Sequence, residues 1–249
     1  MNEIAIPVTV LTVSFNAEAT ISRAIESVME QTYSDIEYII VDGASQDNTA
    51  MIARSYIEAF NSRAGRSMRV ISEPDKGMYD ALNKGARLAK GEIVGQINAD
   101  DWYEPEAVET MAGLYERVNY DLAWGSLNVI TGKGCYIKHA KRGLFWSTSH
   151  WCHPAAFAKR ETLLQYPYPL TNPHDDFDFA THLYVDGKKL IPFDKVIGNF
   201  TFGGMSTKKG LRDVKRRLNE IYGIHRKYGM SKLYYVYRLI FEAVKYILT

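Results

Sequence analysis

Gly91-Glu92-Ile93-Val94-Gly95-Gln96-Ile97-Asn98-Ala99-Asp100-Asp101 reads as a buried strand, Ile93 to Ile97, that stops abruptly in amide and acid groups. Carboxylates at the carboxyl end of an inner strand lie where open α/β sheets bind their ligands. Oxygen donors there suit a hard cation, Mg²⁺ or Mn²⁺, and such a cation in turn suits a diphosphate. The competing explanation is plainer. Asp100 or Asp101 would then cap a helix opened by Glu104-Pro105-Glu106, since Asp is a preferred cap and Pro fits a first turn.

The residues before this stretch alternate strand and helix. Val8 to Ser14 is an uncharged, β-branched run, the pattern of a parallel strand buried on both faces. Ile21, Ala24, Ile25, Val28 and Met29 recur at helical spacing. Ile36 to Val41 is a second strand, Asn48 to Phe60 a second helix, and Arg69 to Ser72 a third strand. Met78, Ala81, Leu82, Gly85, Ala86 and Ala89 line one face of a third helix, ahead of the strand Glu92 to Ile97. This alternation predicts a parallel sheet with right-handed crossovers. After Trp102 the pattern loosens. A helix over Pro105 to Val118 leads to two short strands, Leu122 to Trp124 and Leu127 to Ile130, and Cys135 to Lys138 is placed to pair with the latter. Gly143 to His153 reads as loop and Asp175 to Asp186 as helix. Strands near Lys189 to Pro192 and Val196 to Phe202 precede two helices, about Thr207 to Lys227 and Ser231 to Leu248.

A chain of 249 residues, 46% hydrophobic and 24% charged, has the composition of a soluble globular protein. Cys135 and Cys152 have neither the number nor the spacing of a disulfide framework or zinc knuckle, which fits a reducing compartment. No basic, apolar leader opens the chain and no apolar run nears the roughly 20 residues needed to cross a bilayer. The cytoplasm is the expected location. The net charge of +1 hides an asymmetry, because Lys208 onward carries 11 Lys/Arg against 3 Asp/Glu and the preceding residues carry 19 against 26. A basic tail behind an acidic body predicts an anionic partner for the tail, or else a solvated helical face.

Four consecutive strands deliver polar groups to one edge. Ser14-Phe15-Asn16 closes the first, Asp42-Gly43-Ala44-Ser45-Gln46-Asp47-Asn48-Thr49 the second, Glu73-Pro74-Asp75-Lys76-Gly77 the third, and Asn98 to Asp101 the fourth. Turns explain Gly43 and Gly77, and caps explain Ser45 or Asp47. Neither explains why every strand end is acidic or amidic. A nucleotide pocket does: it needs an acceptor for a base N–H, donors for ribose and phosphate, and a metal ligand.

These four segments, with Met78-Tyr79-Asp80-Ala81-Leu82-Asn83-Lys84-Gly85 continuing the third, resemble a family 2 glycosyltransferase of the GT-A fold. The likeness is nearest to the small bacterial enzymes of capsule, colanic-acid and O-antigen assembly. The resemblance implies an α/β fold, a Rossmann-like and mostly parallel sheet flanked by helices, with a helical tail. It divides the chain into a glycosyltransferase domain over 1–206, with a nucleotide-sugar half (1–101) and an acceptor half (102–206), and a basic amphipathic tail over 207–249. It assigns Asp42 to uracil recognition and places Ser14, Asn16, Asp75 and Lys76 around a UDP-sugar. The family's Asp-x-Asp signature falls on Asn98-Ala99-Asp100, so this chain departs at the first acid. Asn98 then accepts from ribose, Asp100 is the main ligand for Mn²⁺ or Mg²⁺, and Asp101 is a weaker one.

In the second half, Asn172-Pro173-His174-Asp175-Asp176-Phe177-Asp178 resembles the family's acidic motif at a helix start, where an aspartate activates the acceptor hydroxyl. Asp176 aligns best, with Asp175 and Asp178 as rivals. His153-Pro154 falls where related enzymes carry a substrate-contacting pair, although a histidine packed among aromatics is an equal reading. Gly203-Gly204-Met205-Ser206 corresponds to a loop near the donor. The implied reaction is metal-dependent, inverting transfer of a hexosyl group to a hydroxyl of a lipid-linked saccharide. The alternatives are a non-catalytic nucleotide-sugar or glycan-binding subunit and a sugar nucleotidyltransferase. The tail is expected either on the anionic inner face of a membrane or packed on protein, including a second copy of the chain. Nucleic acid is not an expected partner, because no recognised binding motif accompanies the charge.

Overall fold

A computed structural model describes residues 6–141, 151–202, 211–231, 233–237, 239 and 240. Four strands, β1 (Val8–Ser14), β2 (Ile36–Asp42), β3 (Arg66–Ser72) and β4 (Ile93–Asn98), form a parallel block in the order β3-β2-β1-β4. β1 is buried at all seven positions because β2 and β4 flank it and helices cover both faces. The covering helices are α1 (Ile21–Met29), α2 (Thr49–Ser55), α3 (Ile57–Asn61) and α4 (Met78–Leu88). The single helix expected over Asn48 to Phe60 is thus two, parted at Tyr56. There the backbone N–H reaches back three residues to Ala53, and the phenol bonds Glu26 of α1. β3 starts three residues before its expected first residue. Arg66 is compatible with a strand start because its guanidinium is absorbed by the carbonyls of Val28, Gln31 and Tyr33.

Beyond β4 the sheet continues through elements of the second half. These are β5 (Trp102–Tyr103), α5 (Ala107–Val118), β6 (Leu122–Thr131), β7 (Gly134–Lys138), β8 (Ala156–Lys159), α6 (Arg160–Gln165), α7 (Asp175–Val185), β9 (Leu190–Thr201) and α8 (Leu211–Lys227). The full order is β3-β2-β1-β4-β8-β6-β9-β5, with β7 paired to β6 as expected. Four of the eight strand pairings are antiparallel, all in this second half or at its seam. The two short strands expected at Leu122 and Leu127 are one strand, which continues through an irregularity at Gly125 and Ser126 where its register with β9 shifts. β9 is likewise continuous through Pro192 to Lys195.

The seam between the halves is β4 against β8. Gly95 pairs with Phe157, and a Cβ at Gly95 would lie 2.5 Å from the Phe157 ring. Tyr103 stacks on the same ring at 5.6 Å. The glycine therefore lets the aromatic layer of the second half lie directly on the parallel block. The tail's first helix belongs to the body: Leu218, Ile221, Ile224 and His225 of α8 are buried, and Lys227 pairs with Asp178 of α7. Among the described residues no helix is long and apolar enough to cross a membrane. The expected helix over Ser231 to Leu248 lies largely outside the described residues, as do most of the Gly143 to His153 loop and the Gly203–Ser206 loop.

Candidate active site

The strand ends meet at one edge as the register requires. Ser14 is level with Asp42, Asp42 with Ser72, and Val13 with Asn98. Asp42 and Asn98 are two strands apart, about 10 Å at ordinary strand spacing.

Asp42 is fully buried and accepts four hydrogen bonds. Oδ1 takes Ser14 Oγ at 3.1 Å and the Ser45 hydroxyl, while Oδ2 takes the Ser45 N–H at 3.0 Å and Ser72 Oγ at 2.6 Å. A carboxylate has about four acceptor positions, so the chain's own serines consume it. The expected contact of Asp42 with uracil would require one of these serine donors to turn away. Its donors come from three successive strand ends, and its visible work is to hold them in register. Ser14, 7% exposed, is one of these donors. Asp75 is different. It is half-buried, Oδ1 accepts the Gly77 N–H at 2.7 Å, and Oδ2 lies where a side chain on Gly43 would have to go. Lys76 is exposed beside it, with no ion-pair partner among the described residues. Asn16 adopts a left-handed backbone (φ 48°) and clasps the β2–α2 loop: its N–H donates to Ser45 Oγ at 2.8 Å and its Oδ1 accepts from Gln46 N at 2.9 Å.

At the end of β4, Asn98 donates to Asp101 Oδ2 at 3.1 Å, and Thr201 N donates to Asp101 Oδ1 at 3.1 Å. Burial, followed by the Asp100 charge, pushes Asp101 up to about 8. α5 begins only at Ala107, so neither Asp100 nor Asp101 caps it. The Asp100 carbonyl is pinned by Arg23 at 2.9 Å and Thr201 Oγ1 at 2.9 Å, and Arg23 stacks on Trp102. The Asp100 carboxylate is half-buried and accepts no hydrogen bond among the described residues. No group of three or more His, Cys, Asp or Glu able to hold a metal occurs among them either. One available carboxylate on a pinned turn fits a cation that takes most of its oxygens from a diphosphate, the habit of Mg²⁺.

The three acids of α7 separate by partner. Asp175 is buried and accepts from Thr171 N, Thr171 Oγ1 and Asn172 N at 2.8–3.1 Å, closing the loop before the helix. Asp178 is buried and held by Lys227 Nζ at 2.9 and 3.0 Å and Tyr228 Oη at 2.5 Å, tying α7 to α8. Asp176 is half-buried. Tyr79 Oη donates to its Oδ1 at 2.9 Å and Trp151 Nε1 to its Oδ2 at 2.8 Å. Each oxygen keeps a further acceptor position.

His153 is 8% exposed and sits in a 3-10 turn, His153–Ala155, with Nε2 2.9 Å from Gln96 Oε1. Tyr168 Oη donates to the same Gln96 oxygen at 2.6 Å. Burial lowers the imidazole's affinity for a proton, partly offset by Asp176. Of the two expectations for His153, the geometry displays the packed one: the ring is paired with Gln96 and surrounded by Tyr79, Trp151 and Tyr168. Gln96, Trp151 and Tyr168 carried no functional signal in the sequence, and Tyr79 carried only its place after Lys76-Gly77-Met78.

Acids at the carboxyl ends of parallel strands lie where open α/β sheets bind their ligands, and Asp176 at the start of α7 adds a carboxylate from the mixed half. The sequence matches the description "Glycosyl transferase family 2" over residues 9–178. The chain belongs to that family of transferases. An uncharacterized glycosyltransferase of Nostoc sp. is 27% identical over 176 residues, covering 66% of this chain and 53% of that protein. Chondroitin synthase of Escherichia coli is 38% identical over 96 residues, 39% of this chain and 13% of the synthase. The chain thus spans about half the length, or much less, of these curated relatives. Among solved structures, S. aureus TarS 1-349 in complex with UDP-GlcNAc superposes with a TM-score of 0.69 at 17% identity, covering 89% of this chain and 65% of that fragment. A Pyrobaculum calidifontis mannosyltransferase in complex with GDP-Man and Mn²⁺ gives 0.63 at 19% identity, covering 88% of this chain and 61% of that one. The GT-A fold is common to all three.

Proposed function

We propose that this chain transfers a hexosyl group from a UDP-sugar to a saccharide hydroxyl, with inversion, during polysaccharide synthesis. One observation carries the reading: of three acids in one turn of α7, Asp176 alone keeps a half-exposed carboxylate with an acceptor position left on each oxygen. Asp176 takes the acceptor's hydroxyl proton as the new C–O bond forms. The anomeric C–O bond breaks at the opposite face, and its electron pair leaves on the diphosphate. A carboxylate is a weak base against a sugar hydroxyl, so the proton moves as the bond forms. Asp100 would hold Mn²⁺ or Mg²⁺, which when bound supplies Lewis-acid stabilisation to the departing diphosphate. Asp75 offers the open acceptor for the base N–H, Lys76 the neighbouring positive charge, and Asn98 Oδ1 an acceptor for ribose.

UDP as the donor nucleotide is supported by the resemblance and by TarS, solved with UDP-GlcNAc. The mannosyltransferase solved with GDP-Man and Mn²⁺ makes GDP-sugars the comparison to run. A lipid-linked acceptor at an anionic membrane completes the proposal. Arg212, Lys215, Arg216 and Arg226 are exposed along one face of α8. Leu233, Val236, Tyr237 and Ile240, exposed at i, i+3, i+4 and i+7 spacing, follow them. A basic stripe ahead of an apolar one suits a bilayer carrying anionic lipid.

The decisive experiment measures transfer and UDP affinity on Asp176→Asn. Transfer is expected to fall by about 10²–10⁴-fold with calorimetric UDP binding intact. Equal loss of both would remove Asp176 from the base role. For the tail, sedimentation with anionic vesicles is expected and should be lost with neutral ones; equal recovery in both would end the membrane reading.

A further inference from the structure

The Asp176 carboxylate does not stand alone. Its two hydrogen-bond donors, Tyr79 on α4 and Trp151 before β8, are buried, and they come from opposite halves of the chain. Behind them sits a packed layer. The Tyr79 ring lies 5.3 Å from Tyr168 and 6.5 Å from His153, and the Trp151 ring lies 6.2 Å from His153 and 5.4 Å from Trp124. Tyr168 and His153 converge on one atom, Gln96 Oε1. With that oxygen as acceptor, His153 carries its proton on Nε2. Gln96 is on β4, two residues before Asn98 and hence on the same face of that strand. The strand that ends at the Asp100 turn therefore also anchors the layer that grips Asp176.

We propose that Tyr79 and Trp151 are positioning residues for the transfer reaction, one donor on each Asp176 oxygen, and that Gln96, through Tyr168 and His153, sets both. The proposal rests on Asp176 being the base. Without donors, a carboxylate on a helix start rotates about its last torsion, and its lone pairs point at the acceptor hydroxyl only part of the time. With one donor on each oxygen the plane of the group is fixed, and the remaining lone pair on each has a single direction. Loss of reacting-group alignment costs rate rather than affinity. Tyr79 keeps its proton to donate, because burial and the adjacent Asp176 charge hold its phenol well above its ordinary value. Its single proton is shared with the Pro173 carbonyl at 3.1 Å, which ties the grip to the residue that leads into α7.

The test uses Tyr79→Phe, which removes one oxygen and keeps the ring, and Trp151→Phe as the second variant. Hydrogen bonds to a charged group are strong enough that each loss should lower kcat for transfer by roughly 10- to 100-fold. KM for donor and calorimetric UDP affinity should stay within about 2-fold, because the Tyr79 hydroxyl and the Trp151 ring N–H bond Asp176 and Pro173 and not Asp75 or Asp100. Withdrawing a donor from a carboxylate also raises its affinity for protons, so the acid limb of the kcat–pH profile should move to higher pH in both variants. A purely packing role would move melting temperature and leave that limb in place. The proposal is overturned if both variants keep wild-type kcat and pH profile while Asp176→Asn is inactive. It is also overturned if kcat and UDP affinity fall together in proportion to stability. If Asp176→Asn itself still transfers, the base assignment fails first and this proposal with it.

Discussion

Asp42 and Asp176 occupy matching positions, one at the carboxyl end of a strand in the parallel half and one at the entry to a helix in the mixed half, and the fold treats them in opposite ways. Asp42 is fully buried and filled by four donors from Ser14, Ser45 and Ser72. Asp176 has two donors and a half-exposed face. In the parallel half, adjacent strands end level, so a buried acid is the cheapest way to satisfy three clustered strand-end groups. In the mixed half Asp176 sits on a helix, away from any strand end, and is held by side chains from α4 and from the segment before β8. The difference lies in what each acid has left to accept with: nothing on Asp42, and one position on each oxygen of Asp176.

The comparison breaks most visibly in a paired substitution. Asp176→Asn should lower transfer by about 10²–10⁴-fold with little change in melting temperature, because Trp151 keeps the amide oxygen and the Tyr79 hydroxyl, still donating to Pro173, can accept from the amide. Asp42→Ala should do the reverse and lower stability, since the Ser45 N–H and the serine hydroxyls then lose their buried acceptor. A buried donor left without a partner costs about 1–3 kcal/mol, read as a lower denaturant midpoint. Interchanged outcomes would reverse the assignment. Next in size is the seam. Gly95→Val forces a side chain into the Phe157 ring 2.5 Å away and should cost about 1–3 kcal/mol by overpacking, again in the unfolding midpoint. An unchanged midpoint would mean that the halves are not locked together there. Asp178→Asn should be milder. The acid is buried but its partner Lys227 is 47% exposed, so screening reduces the pair's worth to about 1 kcal/mol. UDP binding should be untouched.

Which of these features could be read beforehand follows from where the interactions run. The parallel block was legible because each strand is an apolar run ending in polar residues, and that signal is local. β8 was not, because Ala156 to Lys159 is four residues without alternation, made a strand by pairing with β4 and β6. Asp42 was legible as a site residue, but its saturation was not, because Ser14 and Ser72 lie 28 and 30 residues away. Asp175, Asp176 and Asp178 share one helical turn and one composition. They part only through Thr171 nearby, Tyr79 at 97 residues and Lys227 at 49. The motif resemblance selected Asp176; side-chain partners supply the physical ground for it.

The smallest effect concerns His153, and its sign follows from burial. The ring's native proton affinity is lowered by desolvation, whereas the unfolded chain titrates near 6.5. Above that pH both states hold the ring neutral and the native packing on Gln96 is fully stabilising. As pH falls below it, the unfolded state takes up a proton that the folded state resists, so stability declines toward the lowered native value. The melting temperature should therefore fall between pH 7 and 5.5, by more in the wild type than in His153→Gln, which keeps a polar group near Gln96 and has nothing to titrate. Parallel curves for the two proteins would mean that some other group carries the acid sensitivity. If the wild-type curve instead rose on acidification, the ring would be charged in the native state, and the neutral, packed role assigned to His153 would be wrong.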